Sequence, residues 1–293
     1  MQLVFPLQNK TMWSPPTEYV DLSDCDEIAI DLETRDDGIN NGLGAGWALG
    51  KGEIIGFAVT SKHGSFYYPF GHLGGGNLIK EQVLRYMKDV CDLPCRKIFH
   101  NAPYDVGWLQ AYGISVQGEI VDTMIAGCLI DENRFSYSLN ALAKEYLGEI
   151  KAEQGLRDSA LLYGVDPKNE MWKLPSEHVG HYAEQDSKLT YNLWQRFKHE
   201  IVKQNLTTIW ELERDLLPHL IEMRSRGIRV NTEGAEKLKI DFKQKEKTTL
   251  HNIKKLVGKD VDIWAARSIA TAYDTLGIEY PKTVKTKEPS FTQ

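Results

Sequence analysis

Glu27–Glu33 reads EIAIDLE, and this stretch decides how the rest of the chain is read. Its branched apolar residues Ile28 and Ile30 alternate with Ala29 and Asp31, which predicts a β-strand. Successive side chains of a strand point to opposite faces, so Asp31 and Glu33 share one face. Ile28, Ile30 and Leu32 share the other and are candidates for burial. Two carboxylates side by side at a strand end suit magnesium or manganese, which prefer oxygen ligands. Asp-x-Glu alone is also common on solvated sheet edges, so the pair acquires meaning only from its neighbours.

Working outward, Glu53–Thr60 and Ser65–Phe70 flank the turn SKHG and predict a hairpin. Between the first strand and this hairpin lies a Gly-rich loop, DDGINNGLGAGWALGKG, and Gly74–Gly76 is another loop. A helix is expected over Glu81–Val90, a short strand over Lys97–His100 and a helix over Tyr104–Ala111 stopped by Gly113. Glu119–Val121 follows as a last strand, with a helix from Asp122 and another capped by Ser138 and ending at Gly148. Strands mixed with helices indicate an α/β domain. Residues 166–175 form a loop, and Ser176 opens a helix carrying Tyr182 and Asp186. Helix persists through Trp210–Arg226 to Gly227, and Asn231 caps a Lys-rich helix running to about Val257. The domain boundary is placed near residue 205.

Composition sets the class. The chain has 293 residues, 42% hydrophobic and 26% charged, as expected of a globular protein with one large or two ordinary domains. No apolar run approaches a membrane span, and MQLVFPLQNK lacks the pattern of a signal peptide, so a cytoplasmic location is expected. Four cysteines do not make a disulfide scaffold, and Cys91 and Cys95 are too isolated from other ligands to read as a zinc site. Net charge is −6, divided as −10 over residues 1–202 and +4 over 203–293. The acidic front suits metal binding, and the mildly basic back could meet a phosphate backbone, although solvated helix faces explain it equally.

Two more acidic segments complete the pattern. HNAPYD places Asp105 near a helix start, with Asn101 as a candidate cap and Pro103 in the first turn. HYAEQDSKLTY places Tyr182 and Asp186 four apart on one helix face. Taken singly, Asp105 reads as a first-turn acid favoured by the helix dipole, and Tyr182 as a packed tyrosine beside an exposed acid. His178 and His181 are given no metal role. Gathering Asp31, Glu33, Asp105 and Asp186 in one partly buried place costs free energy unless cations neutralise them, and a pair of divalent ions does so.

The order of the three motifs, D-x-E, then N-x-x-x-D, then Y-x-x-x-D, resembles the 3′–5′ exonuclease domain of family A DNA polymerases, in the tyrosine-bearing branch of the DEDD exonucleases. The resemblance covers roughly residues 25–205 and includes VDTMIAGCLIDENRFSYSLNALAKEYLG between the second and third motifs. It implies an RNase H-like exonuclease fold, a mixed sheet of about five strands flanked by helices, followed by a mostly helical C-terminal segment. It implies two Mg2+ or Mn2+ ions. Asp31, Glu33 and Asp186 would hold the first, Asp31 would bridge to a second supported by Asp105, and Tyr182 would orient the attacking water. The substrate implied is a single-stranded DNA 3′ end or frayed primer end, released as nucleoside 5′-monophosphates. ELERDLLPHLIEMRSRGIRVNTEGAEKL and residues 277–292 resemble the start and end of the polymerase thumb, so palm and fingers would be supplied, if at all, by a separate chain. No polymerase activity is expected from residues 1–205 and 206–293 by themselves.

Trp108, Tyr104, Phe135 and Tyr137 are candidate base-stacking residues, with core packing the competing assignment. Two further functions fit the residues. One is an exoribonuclease of the RNase D type, using the same motifs. The other is a non-catalytic DNA-binding or assembly module of a split replicase, which would bind oligonucleotides without hydrolysing them.

Overall fold

The computed structural model describes residues 11–151 and 153–291. MQLVFPLQNK and Thr292 at the end of the thumb-like stretch lie outside them. A mixed five-stranded sheet in the order β3-β2-β1-β4-β5 organises the first compact unit, which runs to Gly227. Its strands are β1 (Glu27–Arg35), β2 (Glu53–Ser61), β3 (Gly64–Pro69), β4 (Arg96–Phe99) and β5 (Ile120–Asp122). β1 pairs antiparallel with β2 and parallel with β4, so the strand bearing Asp31 and Glu33 is central.

Both faces of β1 are covered. Ile28, Ile30 and Leu32 join a core with Val83 and Met87 of α3 (Lys80–Asp92) and Val106 and Leu109 of α4 (Ala102–Ala111). Ala29, on the face shared with Asp31 and Glu33, joins a second core with Leu189, Leu193 and Phe197 of α8 (Gly180–Lys203). The expected alternation therefore separates two buried faces, not core from water. Fully burying each such aliphatic or aromatic side chain contributes roughly 1.5–3 kcal/mol. α5 (Thr123–Ile130) and α6 (Leu139–Tyr146) complete this layer, the latter capped by Ser138, whose hydroxyl accepts from the Ala141 amide at 3.4 Å.

Three segments differ from the sequence reading. The Gly-rich loop contains two short helices, α1 (Asp37–Asn40) and α2 (Gly46–Leu49). The Asp36 carboxylate organises both by accepting from the amides of Ile39 at 2.8 Å and Gly46 at 2.9 Å. Residues 166–175 are not all loop, because Met171–Lys173 makes one 3-10 turn. An unanticipated helix, α7 (Glu153–Tyr163), buries only Leu156 and Ala160. So narrow a stripe, with Gly155 inside it at a cost of about 1 kcal/mol, gives little periodic signal.

Packing continues past the boundary read from the sequence. The sequence reading divides the chain near residue 205, yet α9 (Thr207–Arg226) belongs to the first compact unit. Trp210 packs on Trp194 with ring centroids 5.3 Å apart, and Leu217 and Ile221 are buried in the first core. The second unit, residues 228–293, contains α10 (Thr232–Val257) and α11 (Ala266–Leu276). Asn231 caps α10 by accepting from the Gly234 amide at 2.9 Å, as its position suggested. Within this unit Tyr273, Tyr280 and Phe291 pack as a ring trio, Ile269 is half-buried and Trp264 is exposed.

Candidate active site

The chemistry gathers where β1, α4 and α8 meet. Glu33 stands opposite Gly56 of β2, and the pairing slips between Glu33 and Thr34. Such a bulge bends the strand and redirects its side chains, and bulges are common beside active sites. The slip leaves Thr34 Oγ1 2.6 Å from the Tyr104 hydroxyl, which ties β1 to the first turn of α4. An ideal Cβ on Gly56 would lie 2.0 Å from the Tyr67 hydroxyl, so only glycine there lets Tyr67 cross beneath Glu33's strand.

Asp105 is buried, and its Oδ1 accepts from the Leu32 amide at 3.0 Å, between Asp31 and Glu33 in sequence. Its helix is not capped by Asn101, the residue chosen from sequence. Asn101 adopts a left-handed conformation (φ 67°) and makes no side-chain cap bond. The Asp122 carboxylate does that work, accepting from the amides of Asn101 at 3.0 Å, Ala102 at 2.8 Å and Met124 at 2.8 Å. Pro103 sits in the first turn, where its missing N–H costs nothing.

Tyr182 and Asp186 project from α8 toward the same place. Burial, then the Asp186 charge, raises the Asp31 carboxyl to about 7. Burial raises Glu33 well above the usual carboxylate range, and the charges of Asp31, Asp186 and Asp105 push it further. Burial and Asp31 raise Asp105 likewise. The Tyr182 phenol is raised by burial and then by Asp186, Glu33 and Asp31. The four carboxylates and the phenol therefore share one electrostatic neighbourhood, in which the acids oppose ionisation of Asp31, Glu33, Asp105 and Tyr182, while the Tyr182 hydroxyl favours the Asp186 charge. Two buried oxygens, Glu33 Oε1 and Asp186 Oδ1, lack a hydrogen-bond partner among the described residues. Acceptor-only oxygens, buried and unpartnered, fit a hard divalent cation.

One residue there has no counterpart in the sequence reading. Lys151, between α6 and α7, pairs with Asp186 Oδ2, and its ammonium lies 3.3 Å from the Tyr182 hydroxyl and 5.2 Å from that ring's centre. Burial works against the Lys151 charge, but Asp186, Asp31 and Glu33 outweigh it and raise its pKa. Nothing in the sequence separates it from the chain's other lysines.

Other candidates scatter. Trp108 is buried in the core, Tyr104 and Tyr137 are half-buried, and Phe135 is fully exposed. His181 is exposed, and His178 is buried with Nδ1 3.0 Å from Ser159 Oγ. Cys91 is buried and Cys95 half-buried, and both are free thiols. Among the described residues, Asp24, Cys25 and His63 bring ligand atoms within 4.8 Å of one another. Asp24 is already neutralised there by Lys62 at 2.8 Å and His63 at 2.7 Å, which hold its carboxyl well below the usual range. No helix among the described residues is long and apolar enough to cross a membrane.

Behind the acids, His72 links Tyr67 to Leu174. The Leu174 carbonyl, 3.1 Å away, can only accept, so Nδ1 carries the proton and Nε2 accepts from the Tyr67 hydroxyl at 2.7 Å. Burial pushes His72 down to about 4. A histidine with a depressed folded-state pKa binds fewer protons than the unfolded chain, so stability falls as pH drops below about 6.5. Between pH 6.5 and 5 this contributes a loss of about 2 kcal/mol. Urea midpoints at pH 7 and pH 5 should show it, and a smaller pH slope in His72→Phe assigns it.

Comparison with known proteins supplies the family. A profile described as 3′–5′ exonuclease matches residues 19–202. A DNA-directed DNA polymerase of Pseudomonas phage M6 is 36% identical over 272 residues, covering 89% of this chain and 40% of that protein. The DNA polymerase DpoZ of Salmonella phage PMBT28 is 30% identical over 86% of this chain and 39% of its own length. DNA polymerase I of Rhizobium leguminosarum is 26% identical over 83% of this chain and 25% of its own. The chain thus spans between a quarter and two fifths of these relatives. The POL domain of Pol1 from M. smegmatis, solved with DNA primer-template and dNTP, shares the fold with a TM-score of 0.67, covering 92% of this chain and 41% of that one at 17% identity. The chain belongs to the 3′–5′ exonuclease family, in the form carried by family A DNA polymerases of phages and bacteria.

Proposed function

We propose that this chain hydrolyses single-stranded DNA from its 3′ end to nucleoside 5′-monophosphates, using two divalent ions, Mg2+ or Mn2+, held by Asp31, Glu33, Asp105 and Asp186. The observation that carries the reading is the shared electrostatic neighbourhood of the four carboxylates, with Glu33 Oε1 and Asp186 Oδ1 buried and unpartnered. Divalent ions bound there supply Lewis acidity and lower the pKa of a bound water.

The residues divide the remaining work. Asp31, Glu33 and Asp186 would hold one ion, and Asp31 and Asp105 would hold the other. Asp105 is fixed for this by the Leu32 amide, which donates to its Oδ1. The Tyr182 hydroxyl orients the attacking water in line with the phosphorus. Its raised pKa keeps it a phenol at neutral pH, able both to donate and to accept. In the cell the substrate would be a frayed primer end presented by a polymerase, in the same or a separate chain.

The test is a 5′-labelled single-stranded DNA incubated with Mg2+ or Mn2+. A descending ladder that disappears with chelator is expected, and DNA left intact with both metals defeats the proposal. An RNA oligonucleotide run in parallel should be degraded more slowly. Tyr182→Phe keeps the ring and removes the hydroxyl, so it should bind Mn2+ as the wild type does while turnover falls about 10²-fold. A wild-type rate would show that the hydroxyl does not position the water.

A further inference from the structure

Four clustered carboxylates, three of them buried, need a counter-charge before any divalent ion arrives. Lys151 is placed to supply it. Its ammonium pairs with Asp186 Oδ2, sits 3.3 Å from the Tyr182 hydroxyl, and feels the charges of Asp31 and Glu33. The side chain is only 16% exposed, so this is an enclosed pair and not a surface contact. On another side its charge, after burial, depresses His100 to about 4, so the neighbouring histidine offers no competing cation.

Lys151 also lines an adjoining cavity of about 400 Å³ with Arg157, Pro167, Lys168 and Tyr182. The ammonium can reach this space by rotating its own four-carbon stem, without unfolding either neighbouring helix. The cavity also carries the Lys168 cation and the Glu153 carboxylate, the latter already paired with Arg157 at 2.6 Å, so it offers Lys151 less negative charge than the acid cluster does. Displacement therefore requires a stronger cation in the cluster.

We propose that Lys151 is an exchangeable counter-cation, holding the acid cluster together until divalent ions displace it into the adjoining cavity. The inference rests on the metal-dependent reading above. It has a thermodynamic consequence. Divalent ions bind the fraction of molecules whose Lys151 has withdrawn, so their apparent affinity is reduced by that fraction. The lysine protects the site from its own repulsion and raises the divalent concentration at which it fills.

Mn2+ titration calorimetry on wild type and Lys151→Met, with melting of each in EDTA and in Mn2+, tests this. Methionine keeps the length and removes the charge. Lys151→Met should bind Mn2+ about tenfold more tightly, for a withdrawn fraction of about one tenth. It should also melt lower than wild type in EDTA at pH 8 and gain more from Mn2+. Equal or weaker Mn2+ affinity overturns the inference alone. A wild type that binds no Mn2+ overturns the metal-dependent reading and the inference with it.

A second measurement uses unaltered protein, should Lys151→Met fail to fold. Reductive methylation, followed by mass spectrometry, compares Lys151 with the exposed Lys88. Lys151 should react several-fold faster in Mn2+ than in EDTA while Lys88 is unchanged. Equal Lys151 rates in the two conditions overturn the inference.

Discussion

Asp31→Ala should abolish 3′-end hydrolysis, lowering the rate by at least ~10³-fold, the equivalent of roughly 4 kcal/mol of lost transition-state stabilisation. In the proposed mechanism Asp31 would serve both ions, so no neighbour would substitute for it. The same change should leave the metal-free protein as stable as wild type or more so. Burial and the Asp186 charge raise the Asp31 carboxyl to about 7, against an unfolded value of 3.8. Between those values the folded state holds the extra proton, so stability is lost as pH rises through that window. At pH 8 the wild-type cluster carries the full cost of ionisation, and alanine relieves it. A gel assay and thermal melts in EDTA at pH 8 check both halves. Near-normal cleavage by Asp31→Ala would remove the central ligand from the mechanism, and a large drop in EDTA melting would show that Asp31 is structural.

Asp122→Ala should produce the largest loss of stability among the polar substitutions, about 3–5 kcal/mol. Its carboxylate accepts from three backbone amides belonging to two different helix starts. Hydrogen bonds to a charged acceptor are worth about 1.5–3 kcal/mol each, and alanine leaves all three donors without this partner, the Ala102 amide buried and the other two part-buried. The turn at Asn101 then loses what holds its left-handed conformation, and Asp105 lies only four residues on. Urea unfolding should show the stability loss, and Mn2+ titration of the folded fraction should show weaker binding through Asp105. Asp122→Asn keeps one acceptor and should recover part of both. A wild-type urea midpoint for Asp122→Ala would refute the assignment of this residue as the shared cap.

Asp31 and Glu33 show why much of the site was legible before any coordinates. The period-2 pattern of Glu27–Glu33 puts them on one face, and that pattern is a property of the backbone. Tyr182 and Asp186 are readable for the same reason, since a spacing of four places two side chains together on any helix. Asp105 by itself was readable only as a helix-start acid, and as a ligand only through the order of the three motifs, because its bond to the Leu32 amide spans 73 positions. Asp122 and Lys151 were not readable at all. A cap that serves a turn 20 residues earlier has no local signature, and one lysine among many is distinguished only by where its loop folds back. The packing of α9 was unreadable for a related reason, since it looks like any amphipathic helix and only the fold shows that Leu217 and Ile221 enter the first core.

Local periodicity thus determined the five strands and the longer helices other than α7, the α/β class and the pairs of candidate site residues carried on single elements, because those depend on backbone geometry within a few residues. Tertiary structure decided how strand, turn and helix bring their acids together, which amides hold Asp105, and which cation answers the resulting charge. Those outcomes arise from electrostatic and hydrogen-bonding partnerships between segments far apart in the chain, and such partnerships come into being only once the sheet and its helices have closed on one another.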